Sequence, residues 1–183
     1  MRRTGFSDEG HGAPMRSPKG HLWFGVTSIL MLTLDLWSKH EAFRRLGEKE
    51  QYVLWKGVFG FQRVLNSGMM YGAFQNVPAH WWVLLRGLVC VAIIVLYFSL
   101  RDNSRLTQFA FGLVSAGALG NIYDNIFGGL ANGTGLFTGK VRDFLWFHWF
   151  EFPTFNVADS CICVGAPLLL IILWRHDKKS AAA

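Results

Sequence analysis

The chain has 183 residues, 51% hydrophobic and 15% aromatic, with eight Trp and sixteen Phe; that aromatic share lies well above soluble globular usage. Lys and Arg number 18 against 12 Asp and Glu, a formal charge of +6. That balance fits an anionic lipid leaflet and disfavours nucleic acid, because no basic stretch is interleaved with a base-stacking platform.

Residues 1–20, rich in Gly, Pro, Ser and charge, are expected to form a disordered cytoplasmic tail. Four apolar stretches follow, Leu22 to Trp37, Trp81 to Leu100, Leu106 to Ile122 and Val157 to Trp174, each close to the ~20 residues that cross a hydrocarbon core. The first follows a basic segment, as a signal peptide does. It is succeeded by Asp35-Leu-Trp-Ser-Lys39 where a cleavable signal has small residues, so an uncleaved helix is expected. Residues 21–176 then form one membrane domain, with 177–183 a second short tail. Four spans leave both termini on one side. Lys and Arg are nearly balanced across the membrane, but Arg175, Lys178 and Lys179 directly after the last span favour cytoplasmic termini.

Between the first two spans, Gln51 to Val64 mixes β-branched and aromatic residues with glycines, the pattern of a short bent hairpin at the membrane surface. It runs into Asn66-Ser-Gly68-Met-Met-Tyr-Gly72-Ala-Phe74, whose glycines suit close approach of a bound peptide backbone; an ordinary loop is the plainer alternative. Cys90, Cys161 and Cys163 lie in apolar spans and read as small core hydrophobes, with no His/Cys cluster to complete a metal site.

Most of the polar chemistry falls between Ala118 and Ser160. The end of the third span and the start of the fourth share one membrane face. Asn121, Asp124, Asp143, Asn156 and Asp159 are therefore expected to converge there. Carboxylates at membrane depth are functional by default, and two on one rim suit shared-proton activation of water. Between them, Phe144 to Phe152 reads as an aromatic belt at the headgroup boundary.

Taken together, Asp35-x-x-x-Lys39, Asn66-x-Gly68, Gly120-Asn-x-x-Asp124, Asp143-Phe and Phe155-Asn-x-Ala-Asp159 resemble the blocks of lipoprotein signal peptidase, signal peptidase II, in order and spacing. The resemblance implies an all-α polytopic protein of the bacterial inner membrane. Four transmembrane helices would carry a small periplasmic β-cradle and an interfacial aromatic segment, with the site at the periplasmic rim. It implies an aspartic endopeptidase, without metal or cofactor, cutting prolipoproteins on the N-terminal side of a diacylglyceryl-modified lipobox cysteine. By matching motif, Asp143 and Asp159 are the catalytic pair; Asn66, Gly68, Asn121 and Asn156 surround substrate or oxyanion; Asp35, Lys39, Asp124 and Arg142 support. Substrate would arrive laterally through membrane lipid, globomycin-type inhibitors would bind, and a monomer is expected.

Three departures stand out. Family members usually carry Arg directly after the Asp of Gly-Asn-x-x-Asp, whereas this chain has Asn125, and Arg142 is a candidate replacement. Gly128 to Gly139 looks like an inserted mobile loop, and Met69 and Met70 stand where small residues are usual.

Plainer roles are open to several of these residues. Asp124 suits a helix-end hydrogen-bond partner, Asp35 with Lys39 an i, i+4 ion pair, and His148 interfacial packing. Arg86, inside the second span, is expected to snorkel or reach the polar rim. Other intramembrane proteases fit poorly: there is no His-Glu-x-x-His, Ser115-Ala-Gly117 lacks a serine-protease context, and Tyr123-Asp124 is half of a presenilin-like pair. A non-catalytic membrane scaffold, or a small transporter using the rim aspartates, is the alternative from another class. Polar residues gathered at one rim favour hydrolysis.

Overall fold

The computed structural model describes residues 21–48, 50–66, 78–100, 104–130, 135–150 and 152–181. The N-terminal tail, Gly68, Met69, Met70 and part of the glycine-rich insertion lie outside them. Four helices, α1 (Leu22–Arg45), α2 (Ala79–Ser99), α3 (Arg105–Phe127) and α4 (Val157–Ala181), carry three strands, β1 (Gln51–Trp55), β2 (Phe59–Asn66) and β3 (Val141–Phe147).

The first helix outruns its expected end at Trp37. Its buried residues Thr27, Asp35 and Lys39 are spaced by eight and four, so they share one face, and the charges that look like the end of a span are turned inward. Arg44 and Arg45 close the last turn, where positive charge complements the helix dipole.

The third helix is the axis of the bundle and packs on α1, α2 and α4. Ser104 caps it by accepting from the Thr107 amide at 3.1 Å, satisfying one orphan N–H. Small residues bring the helices close: a Cβ on Gly117 would lie 2.5 Å from the Ala158 carbonyl, and one on Gly120 would strike the Asp35 carboxylate.

The interior is divided along its length. Toward the chain termini Tyr97, Phe111, Val114 and Leu169 form an apolar cluster, and His21 Nδ1 meets the Tyr97 hydroxyl at 2.7 Å. At the opposite end of α3 the buried residues are polar, Asn121, Asp124 and Asn125. Helices α2, over His80–Ser99, and α4, over Val157–Arg175, are long and apolar enough to cross a membrane. Four spans by that measure were expected; α1 and α3 fall short because they carry the buried polar residues.

The hairpin expected over Gln51 to Val64 is present as β1 and β2, turning at Gly57 with φ 76°, which a glycine adopts without steric penalty. The sheet is antiparallel in the order β1-β2-β3. The third strand corrects the aromatic-belt reading: residues 141–147 pair with β2, from Phe59 opposite Phe147 to Asn66 opposite Val141. Trp149, Phe150 and Phe152, just beyond it, are exposed. Phe155 forms a bridge with Leu145, its amide donating to the Leu145 carbonyl at 3.0 Å and its carbonyl accepting from Leu145 at 2.8 Å. This bridge carries the start of α4 to the edge of β3. Cys90 and Cys161 are buried as expected, but Cys163 is exposed, since two residues along a helix reach a different face.

Gly117→Leu should lower stability by about 1–3 kcal/mol through forced separation of α3 and α4. Gly25→Ala, where a Cβ meets nothing within 4 Å, should be neutral or stabilising; thermal unfolding in detergent separates the two.

Candidate active site

Asp143 lies mid-way along β3 and Asp159 in the first turn of α4. Strand alternation sends Asp143 and Arg142 to opposite faces. Asp143 is 1% exposed. Its Oδ2 accepts from Asn66 Nδ2 at 2.8 Å and its Oδ1 from Asn156 Nδ2 at 2.7 Å.

Asn156 joins the two carboxylates. As the residue before α4, it caps the helix by accepting from the Asp159 amide at 2.9 Å, while Asp159 Oδ2 accepts from the Asn156 amide at 3.2 Å. This reciprocal pair is a capping box built from Asn and Asp. The same Asn156 spends its amide nitrogen on Asp143, so one side chain sets both aspartates.

Asn121, from α3, donates to Asp159 Oδ1 at 2.8 Å. Its own oxygen accepts from Lys39 Nζ at 3.1 Å. Lysine has only donors, so the Asn121 oxygen must face it and the amide nitrogen must face Asp159. A buried charge on α1 thereby dictates how an amide on α3 presents itself to a carboxylate on α4.

Burial, followed by the like charge of Asp159, pushes the Asp143 carboxyl up to about 7; the hydrogen bonds from Asn66 and Asn156 and the charge of Lys39 oppose the rise. Two like charges held near each other favour a shared proton over double ionisation.

Behind the pair lies a second, wholly buried charged group. Asp35, Lys39, Asp124 and Arg142 are each at most 6% exposed. Lys39 Nζ lies 2.7 Å from Asp35 Oδ2, an ion contact without hydrogen-bond alignment, and 3.4 Å from Asp124 Oδ2. Arg142 grips Asp124 with Nη2 at 2.6 Å, Nε at 3.0 Å and its backbone amide at 2.9 Å. Asp35 Oδ1 accepts from the Ala158 amide at 2.8 Å. The expected i, i+4 pair of Asp35 and Lys39 is thus present as one edge of a larger network.

Two expectations change. Asp124 does not join the converging cluster; it faces Arg142 and Lys39. Arg142 in turn does not stand in for a cation at position 125, because its guanidinium is committed to Asp124. The cation beside Asn125 is Arg86, whose Nη1 donates to Asn125 Oδ1. Gly68 lies outside the described residues. His148 packs on Trp146 with ring centroids 3.6 Å apart, in keeping with the packing role.

The capping box and β3 escaped the sequence reading, although both left signals. Asn-x-x-Asp before an apolar run marks a helix start, and Val-Arg-Asp-Phe-Leu-Trp-Phe is rich in strand formers. A cavity of about 630 Å³ between the end of α1 and the sheet, lined by Trp37, Tyr52, Phe61 and Phe144, includes neither aspartate in its lining.

The family model described as signal peptidase (SPase) II matches residues 27–175. The chain belongs to the signal peptidase II family. The lipoprotein signal peptidase of Symbiobacterium thermophilum is 34% identical over 161 residues, covering 86% of this chain and 97% of that relative. The one from Pseudomonas aeruginosa is 31% identical over 167 residues, covering 88% and 92%. A solved bacterial membrane enzyme shares the fold with a TM-score of 0.72 at 20% identity, over 85% of this chain and 90% of that one. As a signal peptidase II, the chain is a membrane hydrolase of the aspartic type.

Lys39→Met should cost about 3–5 kcal/mol, because Asp35 and Asp124 would lose a buried counter-charge. The double variant Asp35→Leu with Lys39→Met should recover part of that loss, as measured by unfolding in detergent; equal stabilities would mean that the two charges do not depend on each other.

Proposed function

We propose that Asp143 and Asp159 are the catalytic pair of this signal peptidase II, which removes signal peptides from prolipoproteins. The cut falls on the N-terminal side of the diacylglyceryl-modified lipobox cysteine. The observation that carries this reading is Asn156, hydrogen-bonded to both carboxylates at once.

In the singly protonated pair, the ionised carboxylate removes a proton from water as it attacks the scissile carbonyl. The protonated carboxyl donates to the developing oxyanion. Transfer of a proton to the leaving amine then completes cleavage. The proton belongs to the pair, so neither aspartate has a fixed role. Amide nitrogens of Asn66, Asn121 and Asn156 donate to the carboxylates. Their work is to orient the pair, and the oxyanion falls to its shared proton.

Residues 21–176 act as one membrane domain, flanked by tails at 1–20 and 177–183. All four helices cross the bacterial inner membrane in this proposal. Asp35 and Lys39 of α1 and Gln108, Asn121, Asp124 and Asn125 of α3 are turned into the bundle, while Ile29, Leu30, Leu34, Leu106 and Phe109 present exposed apolar surface, the arrangement lipid requires. Both termini are cytoplasmic and the sheet lies at the periplasmic rim, with Trp149, Phe150 and Phe152 at headgroup level. The enzyme acts as a monomer. Its substrate enters laterally with the acyl chains still in lipid, and globomycin-type inhibitors compete for the site.

Cleavage of a diacylglyceryl-modified lipobox peptide by the purified protein should fall by about 10³-fold or more in Asp143→Asn and in Asp159→Asn, with folding retained. Turnover by either folded variant would remove that residue from the reaction, and peptide binding without any cleavage by the parent would favour a scaffold. The rate should also decline as pH rises through about 7, because ionisation of the second carboxyl removes the shared proton. A kcat/KM profile still rising at pH 9 would contradict that sign.

A further inference from the structure

Arg86 stands in the apolar run of α2, between Leu85 and Gly87, where a permanent charge is disfavoured unless it has a task. It is half-buried. Its Nη1 donates to Asn125 Oδ1, and among the described residues it forms no ion pair and no other hydrogen bond. Among those residues Nε and Nη2 therefore have no partner.

Its placement is specific. Asn125 is buried and lies four residues after Asn121, one turn along the same face of α3, and Asn121 donates to Asp159. Asn125 also donates to the Gly139 carbonyl at 2.9 Å, just ahead of the strand that carries Asp143. The tether thus holds the guanidinium at the junction of α2, α3 and β3. From there it feels the negative charge of both Asp159 and Asp143 without closing a salt bridge to either. An arginine held beside two carboxylates, yet not neutralised by them, has N–H donors free for a third group.

We infer that Arg86 is a substrate-positioning residue whose free guanidinium N–H groups hold a main-chain carbonyl of the signal peptide over the aspartate pair, with Asn125 as its tether. The fork suits this task, because one nitrogen takes the tether while the others reach the ligand. The positive charge also favours ionisation of one carboxyl, so it helps keep a single proton on the pair. This inference rests on the catalytic assignment of Asp143 and Asp159.

The test is steady-state cleavage of a diacylglyceryl-modified lipobox peptide across pH by the full-length enzyme and by Arg86→Gln, Arg86→Lys, Asn125→Ala and Asp143→Asn, with melting temperatures measured alongside. Arg86→Gln should lower kcat/KM by about 10- to 100-fold and move the acidic limb of the profile upward by about half a pH unit to one unit. Arg86→Lys, which keeps the charge, should recover at least about fivefold of that loss without the shift. Asn125→Ala removes the tie between helices but not the cation, and its loss should be the smaller one, again without the shift.

A folded Arg86→Gln variant within twofold of the parent would overturn the inference. So would Arg86→Lys as poor as Arg86→Gln, or Asn125→Ala falling as far, since the tie alone would then explain the effect. If Arg86→Gln does not fold, Arg86→Lys below about a twentieth of parental kcat/KM at parental stability overturns it, and a higher value supports it. An active Asp143→Asn would instead strike the catalytic assignment, whatever the Arg86 variants do.

Discussion

Four buried charges, Asp35, Lys39, Asp124 and Arg142, hold the functional end of this molecule together. They come from α1, α3 and β3, and Asp35 reaches α4 through the Ala158 amide. None of these groups is tolerable alone at this depth. A buried charge without its partner is strongly destabilising, whereas a complete network is tolerated. Docking of α3 against β3 is therefore coupled, because Arg142 and Asp124 are each other's closest counter-charge; α1 joins them through Lys39 on Asp124, and α4 through the Ala158 amide on Asp35. This differs from the far end of the bundle, where Tyr97, Phe111 and Leu169 pack as apolar side chains and can adjust to small changes.

The network also reaches into the chemistry. Lys39 faces the oxygen of Asn121 and so turns its amide nitrogen toward Asp159. Arg142 is locked onto Asp124, and its neighbour along the strand, Asp143, is therefore held on the opposite face with Asn66 and Asn156. Rigid supports of this kind fix the donors that orient the two carboxylates. The raised carboxyl of Asp143 follows from that enforced burial and from the proximity of Asp159.

Much of the site was legible because its residues are local. Phe155-Asn-x-Ala-Asp159 is a helix start, and its spacing alone brings Asn156 and Asp159 together. The four helices and the hairpin were legible for the same reason, as apolar and β-branched runs. What was hidden depended on distant partners. Asp35 and Lys39 resemble the end of a span until Asp124 of α3, more than eighty residues away, stands beside Lys39. The strand over residues 141–147 exists because β2 offers it an edge, and no local pattern announces which edge is free. Asp124 was grouped with the pair because the ends of α3 and α4 share one face, yet Arg142 draws it behind them into its plainer role of helix-end hydrogen-bond partner, because alternation along β3 turns Arg142 away from Asp143. Of the two roles open to Arg86, snorkelling or reaching the polar rim, the structure shows the second, through Asn125 on another helix.

The central claim is that Asp143 and Asp159 share one proton near neutral pH. Infrared spectroscopy of the detergent-solubilised enzyme with carbonyl-labelled aspartate, followed from pH 5 to 9, tests it directly. A protonated-carboxyl band that disappears as pH rises through about 7, and that is missing from Asp143→Asn, is the predicted result. A band absent at every pH in the parent enzyme, with both carboxylates ionised throughout, would contradict the account.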